Sequence, residues 1–200
     1  MKYNEMKQAV NLLAEEWNLG KRESEAEGNI CAWIYLIDLL EESEKIITYK
    51  KGKKLIGFCG YSNKSSHRRL IKRKIYKKIG NILRKSKKIK NKEAFNQYEN
   101  NYDYVPKKLE NYFDGEVSIL IVDKNFRGQK IGEKLLLEVF KMAKKDNMKN
   151  LQILTDESCN YHFYEKCGCK KIYETIIEDI EYGKLEKNTD EKAFIYEKIL

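Results

Sequence analysis

The amino-acid sequence predicts a single α/β domain over residues 1–200, and three observations carry the prediction. From Gly115 onward the apolar pattern runs strand, helix, strand, helix, strand, strand. A strand, a helix and a parallel strand in succession imply a right-handed crossover with the helix packed on the sheet. A chain of 200 residues has ordinary single-domain size and can bury roughly 70% of the surface its unfolded form exposes. Its composition, 42% apolar with one proline, suits a globular protein although 36% of the residues are charged.

Met6, Ala9, Val10, Leu13 and Trp17 recur at helical spacing, as do Ile30, Trp33, Ile34, Ile37 and Leu40, so two amphipathic helices open the chain. Lys45 to Lys50 and Leu55 to Tyr61 read as strands joined by a turn near Lys51-Gly52. The composition then changes. From Lys64 to Lys92 there are 14 Lys or Arg and no Asp or Glu, which exceeds the whole net charge of +9. Leu70, Ile71, Ile75, Ile79, Ile82 and Leu83 keep helical periodicity there, which predicts a basic amphipathic helix lying against the domain. Residues 93 to 114, rich in Asn and Tyr, read as a short helix and a loop, so residues 64–114 form a basic helical insertion. Val117 to Val122 is nearly continuous in apolar residues, as a strand buried on both faces should be. Gly132 to Lys145 is a helix with Leu135, Leu136, Val139, Phe140 and Met142 inward. A strand at Leu151 to Thr155, a helix at Ser158 to Lys166 and strands at Cys169 to Thr175 and Ala193 to Ile199 complete the pattern.

No apolar run approaches the ~20 residues of a bilayer span, and MKYNEMKQAV lacks the apolar core of a secretory signal, so a cytoplasmic location is expected. Five cysteines, an odd number without framework spacing, fit free thiols in a reducing compartment. Cys159, His162, Cys167 and Cys169 are zinc-ligand types in one short stretch. Their spacing matches no common zinc module and they fit a helix followed by a strand, so no metal is expected.

The chemistry concentrates where the buried strand meets its helix, at Arg127-Gly128-Gln129-Lys130-Ile131-Gly132. The first backbone N–H groups of a helix lack internal partners and the helix dipole adds partial positive charge, which together seat a phosphate. Glycine at 128 and 132 removes a Cβ that would hold a ligand off the backbone. The sequence has no Gly-Lys-Ser/Thr and no Gly-x-Gly-x-x-Gly at this junction, so neither the Walker nor the Rossmann fingerprint fits. Coenzyme A is the phosphate-bearing ligand left to consider.

The segments VSILIVDKNFRGQKIGEKLL, LQILTD and NYHFYEKCGCKKI resemble the GNAT superfamily of acetyl-coenzyme A-dependent N-acetyltransferases, strongly over residues 115 to 175. Arg127 and Gly132 fall on the family's turn motif, with Lys130 at its middle glycine position, where the ammonium can serve the pyrophosphate. Asn160, Phe163, Tyr164 and Gly168 match the second motif. The resemblance implies a mixed, mostly antiparallel sheet with a central parallel strand pair flanked by helices, here with the basic helical insertion. It also implies acetyl transfer to an amine by direct attack in a ternary complex, with acetyl-coenzyme A as cosubstrate. The family usually begins with a strand, whereas this chain starts almost directly with a helix.

Residue by residue, the resemblance places Arg127, Gly128, Gln129, Lys130, Ile131 and Gly132 on the diphosphate and Asn160 on the pantetheine arm. It puts a backbone N–H near Ile121 or Val122 on the oxyanion and Tyr164 beside the departing sulfur. Glu116 and Asp156 are candidates for the general base, as is a water chain, because an alkyl amine with a pKa of ~10.4 is almost wholly protonated at physiological pH. His67 and His162 read as surface residues. Family acceptor sites draw on the first two helices and the last hairpin loop. Glu23, Glu25, Glu27, Glu178, Asp179 and Glu181 lie there, and they suit a cationic acceptor such as a polyamine, an aminoglycoside or a peptide lysine. The basic segment leaves open a nucleic acid or an anionic membrane surface as partner. A non-catalytic acyl-coenzyme A sensor is the alternative reading, and monomer and homodimer are both compatible with the sequence.

Overall fold

The computed structural model describes residues 1–17, 24–66, 70–90, 105–178 and 190–200. Helices α1 (Tyr3–Glu16) and α2 (Glu25–Glu42) precede the hairpin β1 (Lys45–Lys51) and β2 (Lys54–Asn63), and helix α3 (Leu70–Arg84) follows. Then come β3 (Gly115–Val122), α4 (Ile131–Lys145), β4 (Asn150–Asp156), the short α5 (His162–Lys166), β5 (Lys170–Glu178) and β6 (Asp190–Ile199). The strands form one sheet in the order β1-β2-β3-β4-β6-β5. Only β3 and β4 run parallel, and every other neighbouring pair is antiparallel. The mixed sheet with a central parallel pair is the architecture the sequence predicts.

Two apolar layers cover the sheet. On one face α1 and α2 bury Val10, Leu13, Ile34 and Leu36 against Phe58, Ile119 and Ile121. On the other, α4 buries Leu135, Leu136, Val139 and Phe140 against Ile56, Tyr61, Val117 and Tyr196. Val117 and Ile119 would share a face in a regular strand, because side chains alternate. They do not, because the β2 and β3 register skips Ser118: Tyr61 pairs with Val117 and Gly60 with Ile119. A bulge of this kind flips the alternation and bends the strand.

Gly115 marks the tightest point of the sheet. A Cβ there would lie 2.1 Å from the Ser62 carbonyl oxygen and 2.4 Å from Met148 Cε, so only glycine fits where β2, β3 and β4 converge.

Two expectations are corrected. The basic helix lies against the domain as expected, on α2, through Tyr76, Gly80 and Leu83, but most of its apolar stripe is turned out: Ile71 is 76% exposed and Ile82 61%. A polar tie sets this rotation, since both Arg84 guanidinium nitrogens Nη1 and Nη2 donate to the Asp38 carboxylate at 3.1 and 2.6 Å. Gly80 lies beneath them, where a Cβ would sit 3.0 Å from Arg84 Nη1 and 3.3 Å from Asp38 Oδ1. The helix expected from Ser158 also starts later, at His162. Asp156 Oδ1 accepts from the Ser158 N–H at 3.0 Å and the Ser158 hydroxyl at 2.6 Å, a local side-chain bond that competes with helix formation. Of the short helix and loop read over 93–114, residues 105–114 are described, with one 3-10 turn at Lys107–Leu109.

Candidate active site

The two parallel strands are paired only where they begin. Gly115 faces Leu151 and Glu116 faces Gln152, and no pairing continues although β3 runs to Val122 and β4 to Asp156. Beyond Glu116 the strands part, which leaves the β4-side edge of β3 without a ladder partner. The bulge at Ser118 lies where the parting starts. A cavity of about 410 Å³ fills this gap, lined by Val117 to Leu120 of β3, Ile153 to Asp156 of β4, and Tyr164, with Asp38 and Glu42 of α2 on its other side.

The turn at the end of β3 is built to present its backbone. Asp123 caps the 3-10 turn Lys124–Phe126 by accepting from the Asn125 N–H at 2.9 Å, and Lys54 pairs with it at 2.8 Å. The Lys54 bond holds the Asp123 carboxyl below the usual range, so the anchor stays ionised. Arg127 donates from Nε to the Val122 carbonyl at 3.2 Å and pairs with Glu16 of α1. Gly128 (φ 79) and Lys130 (φ 58) both occupy the left-handed region, which glycine tolerates and lysine enters at a cost. The coil tightens so that the N–H groups of Gly128, Gln129, Lys130, Ile131 and Gly132 have no protein acceptor among the described residues. Unpaired donors at the start of a helix are groups that can donate hydrogen bonds to an anion.

Gly132 lies against the second motif. A Cβ there would point at Phe163 Cζ, 3.5 Å away, and at Val122 Cγ2, 3.7 Å away, both ordinary contacts. Gly132 therefore abuts Phe163, and the two motifs read separately in the sequence meet in space.

Tyr164 lines the cavity from α5, between Phe163 (centroids 5.5 Å apart) and Tyr196 (5.7 Å). Burial, reinforced by Cys159, Cys59, Cys169 and Asp156, pushes its phenol above the usual range. It stays protonated at physiological pH, and full proton transfer to a thiolate is uphill; hydrogen-bond donation is what it offers. Glu116 also lines the cavity, and Gln152 Nε2 donates to its Oε2 at 2.7 Å. Burial raises the Glu116 carboxyl above the ordinary range, with Gln152 and Lys64 opposing. Part of its surface opens on the cavity, so it is withdrawn from bulk water yet reachable. Asp156 lies at the end of β4, buried, with one oxygen engaged by Ser158.

Glu42 is the residue that sequence reasoning missed. Burial pushes its carboxyl up to about 7, with Glu116, Asp38 and Glu41 adding to the rise and Arg73 opposing it. Glu42 lines the cavity while the residue as a whole stays open to solvent, which puts its carboxyl at the cavity mouth. Nothing in its sequence context, the end of a helix rich in acids, distinguishes it from a solvated carboxylate.

Other predicted positions lie elsewhere. Ile121 is buried against the α1 and α2 face and Val122 packs on the α4 face, both between the cavity and the turn. Asn160 is exposed just before α5, and its carbonyl accepts from the Phe163 N–H at 3.1 Å. His162 is exposed and pairs with Glu165 at 3.2 Å, outside the cavity. Glu27, expected among acceptor-facing carboxylates, is buried and accepts from the Lys90 N–H at 3.0 Å, which ties α2 to the chain after α3. Glu25 is exposed; Glu23, His67, Asp179, Glu181 and the Glu178 side chain lie outside the described residues. Among the described residues, the acidic groups that reach the cavity are Asp38, Glu42, Glu116 and Asp156. No group of three or more His, Cys, Asp or Glu is arranged to hold a metal among the described residues.

Residues 96–171 match the family model described as "Acetyltransferase (GNAT) domain". The fold extends over the rest of the chain. A crystal structure of a Pyrococcus horikoshii OT3 protein superposes over 100% of this chain and 93% of its own at 19% identity, TM-score 0.58. An aminoglycoside 6'-N-acetyltransferase complexed with coenzyme A superposes over 97% and 89% at 13% identity, TM-score 0.54. A Bacillus anthracis str. Ames acetyltransferase in complex with acetyl coenzyme A aligns over 78% of this chain and 61% of its own at 18% identity, TM-score 0.45. No curated protein matches the chain in sequence.

Proposed function

We propose that the chain is an acetyl-coenzyme A-dependent N-acetyltransferase that acts on a cationic amine. The observation that carries this reading is the splay of β3 from β4, which joins a row of unpaired amides at Gly128 to Gly132 to a cavity lined by carboxylates and a tyrosine. A diphosphate seated on the turn leaves the pantetheine arm to run along the free edge of β3, past Asn160, toward Tyr164. Asp38, Glu42, Glu116 and Asp156 attract an ammonium from the opposite side, and Arg84 already neutralises Asp38.

Glu116 takes the proton from the bound ammonium, because a carboxyl raised above its ordinary range is a stronger base than an exposed one. Glu42 shares the cavity, and burial, with the nearby Glu116 charge adding to it, raises its carboxyl as well. The amine nitrogen then bonds to the thioester carbon. Backbone N–H groups on the unpaired edge of β3, toward Ile121 and Val122, hold the developing oxyanion. As the carbon–sulfur bond breaks, Tyr164 donates a hydrogen bond to the departing thiolate, which receives, through water in the open cavity, the proton that the newly acylated nitrogen must lose. Lys130 and Arg127 flank the diphosphate seat, Arg127 through a contact it first shares with Glu16.

Thiol release from acetyl-coenzyme A across a panel of polyamines, aminoglycosides and lysine peptides tests the proposal. Acceptor-dependent release with at least one amine supports it. Tight binding of acetyl-coenzyme A with no release across the panel would instead favour a sensor.

A further inference from the structure

We propose that α3 is an interfacial helix that docks this protein on an anionic lipid bilayer. Among the described residues its outer face has no partner: Ile71, Ile75, Ile79 and Ile82 are 76%, 53%, 36% and 61% exposed. At 3.6 residues per turn these four positions share one arc of the helix, with Lys72 on one flank and Lys74 and Lys78 on the other, all exposed. Isolated exposed apolar residues need no explanation, but four isoleucines in one stripe bounded by lysines do. Their pattern is that of a helix lying in a membrane interface, with its apolar face among the acyl chains and its lysines at the headgroups.

The opposite face is fixed to the protein. Tyr76 and Leu83 pack against the α1 and α2 core, and Arg84 holds Asp38 through two hydrogen bonds. The helix is therefore held to the protein by the face opposite the stripe. Charge selects the occupant. Residues 64–92 carry 14 Lys or Arg and no acid, so a second copy seated on the same face would set lysine against lysine. A nucleic acid would use the lysines and leave the isoleucines in water. An anionic bilayer satisfies both, and each basic residue near such a surface raises partitioning roughly fivefold.

The full chain is tested by co-sedimentation with vesicles of phosphatidylcholine alone and of phosphatidylcholine with phosphatidylglycerol. Binding to the anionic vesicles, and roughly tenfold or more weaker binding to the neutral ones, is expected. Ile75→Ser with Ile79→Ser, on the exposed face, should lower partitioning roughly tenfold while a soluble-acceptor assay and the circular dichroism spectrum stay unchanged. Lys74→Gln with Lys78→Gln should lower it by a similar factor. The proposal is overturned if the wild-type chain stays in the supernatant with anionic vesicles. It is overturned equally if the serine variant binds them as well as wild type, which would leave charge alone at work, as for RNA. A concentration-dependent dimer that the serine substitutions abolish would also overturn it.

Discussion

Replacing Glu116 with glutamine separates catalysis from stability, because the two should move in opposite directions. The substitution keeps the side-chain shape, and a glutamine amide can still meet the Gln152 amide that now donates to Glu116 at 2.7 Å. What is lost is the proton acceptor, and loss of a positioned general base lowers turnover by about 10² to 10⁴. The KM for acetyl-coenzyme A should hold, since Glu116 sits at the start of β3 and the turn amides lie beyond its far end. Stability follows from the sign of the pKa shift. Glu116 is raised in the folded state, so the fold retains that proton above pH 4.5, the group's ordinary value, and loses stability as pH rises. Glutamine removes this burden. Glu116→Gln should melt above wild type at about pH 8, and the difference should shrink toward about pH 4. Initial rates of thiol release and thermal melts across pH measure both. Turnover within threefold of wild type would remove Glu116 as base, and a lower melting temperature at about pH 8 would refute the burial argument.

Further outcomes follow from the same geometry. Tyr164→Phe should reduce turnover by roughly 10- to 100-fold with acetyl-coenzyme A affinity intact, as expected for loss of a hydrogen bond to the departing sulfur; unchanged turnover takes Tyr164 out of the mechanism. Lys130→Gly should relieve the left-handed backbone by about 1 kcal/mol, raising the melting temperature by roughly 2–4 °C. It should also weaken acetyl-coenzyme A binding about fivefold if the ammonium reaches the diphosphate. A calorimetric titration in which Lys130→Gly binds as tightly as wild type would leave Lys130 no part in the seat. Gly115→Ala should fail to accumulate as a folded protein, because its Cβ would meet the Ser62 carbonyl at 2.1 Å. A soluble variant with a native melting transition would contradict that packing.

The sheet was legible because its signals are local. A continuous apolar run at Val117 to Val122 and a 3.6-residue period in α4 each identify one element, and the glycines between them identify the turn. What the sequence hides is the relation between elements. The parting of β3 from β4 is a failure of pairing after Glu116, and the bulge at Ser118 that accompanies it leaves no mark in residue type. Glu42 is silent for the same reason: burial in the assembled cavity raises its carboxyl, and Glu116, 74 positions away in the chain (116 − 42), adds to the rise. The α3 stripe misled because helical periodicity shows that one face is apolar without saying which way it turns. The Arg84 to Asp38 tie decided the rotation.

The claim on which the mechanism rests is that the amides of the turn grip the cosubstrate. Amide hydrogen exchange of the wild-type chain, with and without saturating acetyl-coenzyme A, reads those groups directly. Slowing of exchange by roughly tenfold or more at residues 128–132, accompanied by protection along 117–122, is the predicted result. Saturation that leaves the turn exchanging at its free rate, or that protects only residues away from the splay, would contradict it.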